Sequence, residues 1–407
     1  MELVLVTGML SIILFGGSCV PCQDFDSRLR SIVAPYRFSV AGWEFREVSQ
    51  AVSEWLYCQP EVIDDETRVI DDYFRVVARI KSLKSEIGGI SGGSKTGDMA
   101  SLKTELDELQ AQRAARDKTV ERTIGKQVRG VLSEQGIYNP LVDSEFRFPP
   151  LIFKLAKPPY LLVISPRDRI ESLREILLQP SISLEEITAI EAASDNLDVS
   201  SLVVELGGLA VYPSIVTHDA DRRFITDTVA EEWLHQYLMF KPLGFRYLLD
   251  LSGIARDYEI ATINETVAGM VSNEISGMVD KKYYAEDENQ PSSVTKPDFD
   301  FNREMREIRR TVDDYLGRGE IESAEEFMEQ KRQFLTAEGY YIRKLNQAYF
   351  AFHGAYADRP VSISPIGVEL RELRERSVSL KDFLETVAAI IHRQELSEIL
   401  KAGEPVP

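Results

Sequence analysis

The chain contains few residues of the types that form crosslinks or bind soft metals. Its 407 residues include three cysteines and four histidines. An odd number of cysteines cannot close a set of disulfides, and a chain of this length can bury a large core without them. Cys19 and Cys22 form a C-x-x-C pair, but it follows an apolar run and not a strand, so we do not expect a thioredoxin-like redox motif.

Positive charge is also scarce. Against 66 acidic residues there are 47 lysines and arginines, so the formal net charge is −19. Binding to nucleic acid requires a sustained basic face, which the sequence lacks, so nucleic acid is excluded as a partner. Metal cations and basic or neutral substrates remain open, and 44% hydrophobic with 28% charged residues is typical of a globular protein.

Long apolar runs are absent except at the amino terminus. Residues 3–17 are apolar, which matches a signal-peptide core and falls short of the roughly 20 residues of a full membrane span. The small residues before Cys19 loosely resemble a lipoprotein cleavage site, and a short uncleaved anchor is the alternative. In either case residues 1–22 predict a membrane partner and an extracytoplasmic location for the chain from Gln23 onward.

Residues 23–145 are predicted to be helical and to contain a coiled-coil hairpin. The first apolar seam repeats at alternating spacings of four and three, through Val69, Tyr73, Val76, Ile80, Leu83 and Ile87. A glycine-rich segment, residues 88–97, separates it from a second seam of Leu102, Leu106 and Leu109. Lys95-Thr96 in this segment does not form a P-loop, because Ser94 stands where glycine is required, so no nucleotide is expected.

The remaining chain predicts a helix-rich α+β fold. Strands are expected at residues 151–155, 160–165 and 201–212, then one helix at 221–240, ended by Pro242, and another at 262–279. The predicted divisions are an anchor (1–22), a helical region with the hairpin (23–145), an α/β domain with a zincin-like helix pair (146–284), a polar linker (285–300) and a helical region (301–407).

The segment 229–237, V-A-E-E-W-L-H-Q-Y, differs by one residue from the H-E-x-x-H motif of zinc peptidases. In that motif two histidines four residues apart bind Zn²⁺ from one helix face, and the glutamate is the general base. Here Glu231 replaces the first histidine, Glu232 is the candidate base and His235 is the second ligand. Glu265, after Asn264 at the start of the next predicted helix, is the candidate third ligand.

The exchange of an imidazole for a carboxylate alters the expected chemistry. Two carboxylates and one histidine reduce the Lewis acidity of Zn²⁺, and oxygen-rich sites favour harder ions such as Mn²⁺ or Mg²⁺. The alternative is that Glu231 and Glu232 are solvated acidic residues and His235 is a surface histidine. His218 or His353 could replace the missing ligand, whereas His392 is expected at the surface.

Seven segments occur in a fixed order along the chain: residues 164–170, 199–204, 207–213, 228–238, 241–244, 263–268 and 342–354. Together they resemble a family of membrane-anchored gluzincin-like proteins from Chloroflexota-type bacteria. The resemblance extends from about residue 30 to 385 and implies Glu232 as the base and His235 with Glu265 as metal ligands; the family pattern has histidine at position 231. It also implies that the helix around residues 343–354 lies near the cleft, where Tyr349 or His353 could stabilise an oxyanion. The alternative for this helix is core packing.

Two functions of different class follow. The first is a membrane-anchored zinc metallopeptidase-like protein that hydrolyses peptide or protein substrates, with activity weakened by Glu231. The second is an inactive pseudopeptidase of the bacterial envelope that binds a peptide or protein, with the helical hairpin as its interaction arm. Replacing Glu231 by histidine distinguishes these two hypotheses.

Overall fold

The structure, a computed structural model, describes residues 23–47, 66–91, 98–142, 144–284, 299–357 and 362–402. Helices predominate in them and the strands form two small three-stranded sheets, so the predicted helix-rich α+β class is confirmed. The predicted anchor, the three cysteines, the hairpin tip at 92–97 and most of the predicted linker lie outside these ranges. Within them, no helix combines the length and apolarity that crossing a membrane requires.

The amino-terminal part consists of helices. They are α1 (Gln23–Val33), a 3-10 turn (Ala34–Tyr36), helical residues 40–47, α2 (Glu66–Ser91), α3 (Met99–Ala114) and α4 (Asp117–Glu134). Helices α2 and α3 form the predicted hairpin, and Arg79 of α2 donates from Nε to Oε1 of Glu105 in α3 at 2.7 Å.

The buried face of α2 differs from the predicted heptad seam. Its buried apolar residues are Ile70, Tyr73, Val77, Ile80 and Leu83, so Val69 and Val76 were wrongly placed at its centre. Helix α2 packs against α4 as well as α3, and the Tyr73 hydroxyl donates to Oδ1 of Asp117 in α4 at 2.8 Å. Because two partners cover α2, its buried face is broader than the narrow stripe of a two-helix coiled coil.

Two sheets follow the helical region. Their elements are β1 (Phe153–Leu155), β2 (Tyr160–Pro166), β3 (Arg174–Leu178), α5 (Leu184–Asp195), β4 (Val199–Glu205), β5 (Gly208–Leu209) and β6 (Ser214–Val216). The first sheet has the order β1-β6-β5, with β1 parallel to β6, and the second has the antiparallel order β3-β2-β4. Strands β1, β2 and β4 lie where the sequence predicts them, whereas β3 and β6 were not predicted.

Three helices then build the centre of the molecule: α6 (Arg222–Leu238), α7 (Pro242–Leu251) and α8 (Tyr258–Tyr283). Pro242 was predicted only to end α6. In the structure it also occupies the first turn of α7, where its fixed φ and missing N–H suit a helix start. Helix α8 is covered by neighbours on most sides, and Ile260, Val267 and Ile275 are fully buried.

The carboxy-terminal part is helical, as predicted. Its elements are α9 (Phe301–Gly317), α10 (Ile321–Ala337), α11 (Gln347–Gly354), α12 (Ile366–Arg376), α13 (Leu380–Ala388) and α14 (Arg393–Ala402). Helix α11 is shorter than the sequence suggests because Asn346 caps it: the Asn346 Oδ1 accepts from the backbone N–H of Tyr349 at 2.9 Å.

One hydrophobic core joins most of these elements. It contains buried residues of α2, α4, β1, α6 and α8 together with residues of α12, α13 and α14. The second sheet packs separately, with one face against α1 and α5 and the other against α11. The main core therefore includes residues from each of the three large predicted divisions, 23–145, 146–284 and 301–407.

Gly244 sets how closely α7 approaches α6. A Cβ atom there would lie 2.1 Å from the backbone oxygen of Leu238, so we expect Gly244→Ala to lower the free energy of unfolding by about 3 kcal/mol or more. Gly317 is the control, because a Cβ there meets nothing within 4 Å, and Gly317→Ala is expected to be neutral or to stabilise by up to about 1 kcal/mol. Urea unfolding of both variants measures the difference, and equal effects would contradict the assignment.

Candidate metal centre

Helix α6 is fixed in rotation by hydrogen bonds at both ends. Asp221 caps it by accepting the N–H of Phe224 at Oδ1, 2.9 Å away. The indole N–H of Trp233 donates to the carbonyl of Pro149 at 2.8 Å, and the Gln236 amide donates to the carbonyl of Val211 at 2.6 Å. These bonds anchor one side of α6 to the strand segments, which leaves the stripe with Glu231 and His235 facing α8.

Helix α8 brings the third residue of the group. Its first turn is capped by Asp257, whose Oδ1 accepts from the N–H of Ile260 at 3.1 Å. Ile263 and Val267 bury the helix in the main core, and Glu265 between them is buried at its contact with α6. The contact between the two helices therefore places a carboxylate of one opposite the imidazole of the other.

Glu231, His235 and Glu265 form one group that could hold a metal ion. Each offers a ligand atom, and these atoms lie within 4.8 Å of one another. Nε2 of His235 lies 3.7 Å from Oε2 of Glu265. Ligand atoms of a tetrahedral zinc site, with bonds of about 2.0–2.1 Å, are about 3.3–3.4 Å apart. A contraction of a few tenths of an ångström at this pair would satisfy that geometry.

Two neighbouring side chains orient the ligands. Nδ1 of His235 lies 3.0 Å from Oδ1 of Asn264, so an Nδ1–H donated to this oxygen leaves the lone pair of Nε2 directed at Glu265. The hydroxyl of Tyr247 donates a hydrogen bond to Oε1 of Glu265. Such outer partners are typical of metal sites, where they fix the tautomer of the histidine and the position of the carboxylate.

Glu232 is buried beside this group. Glu232 is only 8% exposed. Burial raises the pKa of its carboxyl well above the ordinary value, and the negative charges of Glu231 and Glu265 raise it further. Strand β5 lies directly against it: a Cβ atom on Gly208 would come within 2.2 Å of Oε1 of Glu232. Glycine at position 208 thus allows the strand backbone to pass close to the candidate base.

The donor set fits a divalent cation. Three carboxylates lie close together in a half-buried to buried setting, and like charges in such a setting repel one another strongly. Two of them, with His235, offer oxygen and nitrogen ligands of the kinds that Zn²⁺ and harder divalent ions accept. The buried Nδ2 of Asn264 has no hydrogen-bond partner among the described residues, which indicates a polar site beside His235.

The other candidate residues take different positions. The ring of His353 packs against Tyr349 and Phe352, with centroids 4.3 and 5.0 Å away, and it is not part of the ligand group found in the described residues. Its catalytic role stays a prediction. His218 lies 3.8 Å from Asp219 and is likewise outside the group, and His392 is exposed as predicted.

Sequence reasoning missed Tyr247 and Tyr356. Tyr247 belongs to α7, which was not predicted, although Pro242 followed by apolar residues at 243, 247 and 251 is a helical pattern. Tyr356 follows α11 and is near enough to Tyr247 to raise its pKa, after the larger effects of burial and of Glu265. A loop residue of this kind gives no periodic signal in the sequence.

No protein-family model matches the chain, and neither a curated protein nor a solved structure is found to be similar to it.

Removing the hydroxyl of Tyr247 tests its role as an orienting residue. Tyr247→Phe leaves Oε1 of Glu265 without this donor, so we expect the affinity for Zn²⁺ to fall about 10-fold. Tyr237→Phe is the matched control, because Tyr237 lies on α6 and its ring packs on Trp233. Calorimetric titration with Zn²⁺ measures both, and the same affinity in the two variants would show that Tyr247 does not position Glu265.

Proposed function

We propose that the protein is a zinc-dependent peptidase in which Glu231, His235 and Glu265 bind the metal and Glu232 is the general base. The observation that supports it is the meeting of the three ligand atoms within 4.8 Å, two from α6 and one from α8. The contact between His235 and Asn264 and the adjacent buried carboxyl of Glu232 add to this support.

The protein's own groups have defined tasks in this proposal. A zinc ion would supply a Lewis acid for the peptide carbonyl and a positive charge that offsets the repulsion among the carboxylates. Glu232 takes a proton from the attacking water and delivers it to the leaving amine. Its place between β5 and the ligand group keeps its carboxyl beside the reacting atoms, while Asn264 and Tyr247 hold two ligands in position.

A pseudopeptidase is the second candidate, and the carboxylate at position 231 favours it. Two anionic ligands weaken the Lewis acidity of Zn²⁺ and shift the preference of the site toward harder ions. In this alternative the cleft binds a peptide or protein partner without hydrolysing it. Both candidates include the extracytoplasmic location and membrane partner inferred from residues 1–22.

Metal analysis of the purified chain tests the proposed site. Protein prepared without added metal is expected to contain one zinc ion per chain. Glu265→Ala is expected to lower the affinity at least about 100-fold, because it removes one of three ligands. Elemental analysis and competition with a chelating dye measure both quantities. Wild-type protein that neither contains nor binds a divalent ion would exclude the proposed function.

Restoring histidine at position 231 separates the two candidates. If the wild-type chain already cleaves peptides and chelation abolishes this, the pseudopeptidase is excluded. If the wild-type chain does neither, but the Glu231→His variant binds zinc tightly and hydrolyses peptides, the pseudopeptidase is supported. The missing imidazole at position 231 would then be the reason why the wild-type chain is inactive. The assay uses a mixed peptide library with mass-spectrometric detection, since the substrate sequence is open.

Glu232→Gln tests the general base. The amide keeps the shape of the side chain but cannot accept the proton, so we expect hydrolysis to fall about 10²- to 10⁴-fold. The bound zinc is expected to persist, because Glu232 is not one of the three ligands. Glu185→Gln, at an exposed position in the first turn of α5, is the control. Peptide turnover and zinc content are measured on the same samples, and full activity of Glu232→Gln would refute the assignment.

A further inference from the structure

A carboxylate that the proposed mechanism does not use stands on the edge strand of the second sheet. Glu175 of β3 pairs with Val163 of β2, which in turn pairs with Leu202 of β4. Paired residues of antiparallel strands project from the same face. Val163 and Leu202 pack against α11, so Glu175 belongs to this same face, at its open edge.

Two contacts bring this edge beside the metal centre. The chain leaving α11 meets α8 where the backbone N–H of Ala357 donates to Oγ1 of Thr266, at 2.9 Å. Thr266 is the residue after Glu265. On the other side, the guanidinium of Arg256, between α7 and α8, donates to the carbonyl of Leu173 just before β3, at 3.3 Å. The start of β3 and the part of α8 that bears Glu265 therefore both contact the segments that surround the candidate metal centre.

Glu175 is exposed to solvent on the edge strand. The protein atoms around it nevertheless raise the pKa of its carboxyl by partial desolvation. The negative charges of Glu265 and Asp250 raise the pKa further. Burial also raises the pKa of Tyr247. The negative charge of Glu265 raises this pKa further, and the charge of Glu175 has a smaller effect in the same direction. Glu175 therefore lies within electrostatic reach of the metal ligands.

The described residues neutralise Glu175 only in part. The hydroxyl of Ser172 donates to its Oε1 at 2.7 Å. Arg256 is the cation that acts on it, but its effect is smaller than that of Glu265, and its guanidinium is engaged with the carbonyl of Leu173. A solvent-accessible carboxylate with other negative charges nearby can be stabilised by a cation from a ligand.

We propose that Glu175 binds a positively charged group of the peptide substrate, either its free α-amino group or a lysine or arginine side chain, and so determines specificity. This inference rests on the proposed function, because it assigns a second contact to the same substrate. Arg256 joins the start of β3 to the connection before α8, so a peptide whose carbonyl is at the metal centre would extend its charged group toward β3. The formal net charge of −19 favours the approach of such cationic substrates.

Three peptides of equal length test the proposal on the full chain. They are Ala-Ala-Ala amide with a free α-amino group, its acetylated form without charge, and acetyl-Lys-Ala-Ala amide with the charge on the side chain. Binding is measured by calorimetry on protein carrying Glu232→Gln, with and without Zn²⁺, so that the peptides remain intact. At least one charged peptide is expected to bind about 10- to 100-fold more tightly than the neutral one.

A second substitution assigns the preference to Glu175. Adding Glu175→Gln is expected to bring the charged and neutral peptides to within about 2-fold of each other. Adding Glu171→Gln is expected to keep the preference, because Glu171 pairs with Arg169 at 2.7 Å on an accessible part of the same segment. Which charged peptide binds more tightly identifies the group that Glu175 recognises.

The outcomes separate this inference from the proposed function. Equal binding of charged and neutral peptides, binding of none of them, or a preference that survives Glu175→Gln would overturn the role of Glu175. Wild-type protein without bound metal or hydrolysis would overturn the peptidase instead. The measurement without Zn²⁺ still decides whether Glu175 selects a positive charge in that case.

Discussion

The packing of α6 against α8 is the constraint on which the candidate site depends. His235 and Glu265 belong to different helices, so their 3.7 Å approach exists only while this contact is intact. The anchoring of Trp233 to Pro149 fixes one helix, and the fully buried apolar residues of α8 fix the other. The hydrogen bond from the backbone N–H of Ala357 to Thr266 then connects α8 to the carboxy-terminal part of the chain. The site is thus a product of the main core and not of any one segment.

Electrostatics give this contact its chemical character. Packing the helices together places the carboxylates of Glu231, Glu232 and Glu265 near one another, and burial makes their repulsion more costly than it would be in water. A hydrogen-bond donor such as the hydroxyl of Tyr247 stabilises only the carboxylate that it contacts, which is that of Glu265. Glu175 adds a further negative charge on the nearby edge strand β3. This part of the protein is therefore suited to positively charged ligands.

The sequence predicted the parts of the structure whose signals are periodic or local. Helices α6 and α8 and strand β2 all follow from the spacing of apolar residues and from residues that end these elements. The meeting of Glu231, His235 and Glu265 was predicted from the resemblance to a metal motif, and the structure places these three together. Strand β3 was missed because its half-exposed residues do not alternate, and with it Glu175. The side chain of Tyr247 was missed because Pro242 was taken only as a helix end.

Position 231 is less buried than its neighbours in the candidate site. Glu265 and Glu232 are buried, whereas Glu231 is only partly covered. A different side chain there alters the donor atoms of the group without replacing any residue of the main hydrophobic core. A scaffold of this kind can exchange one donor through a single codon, while the core that supports it is inherited unchanged.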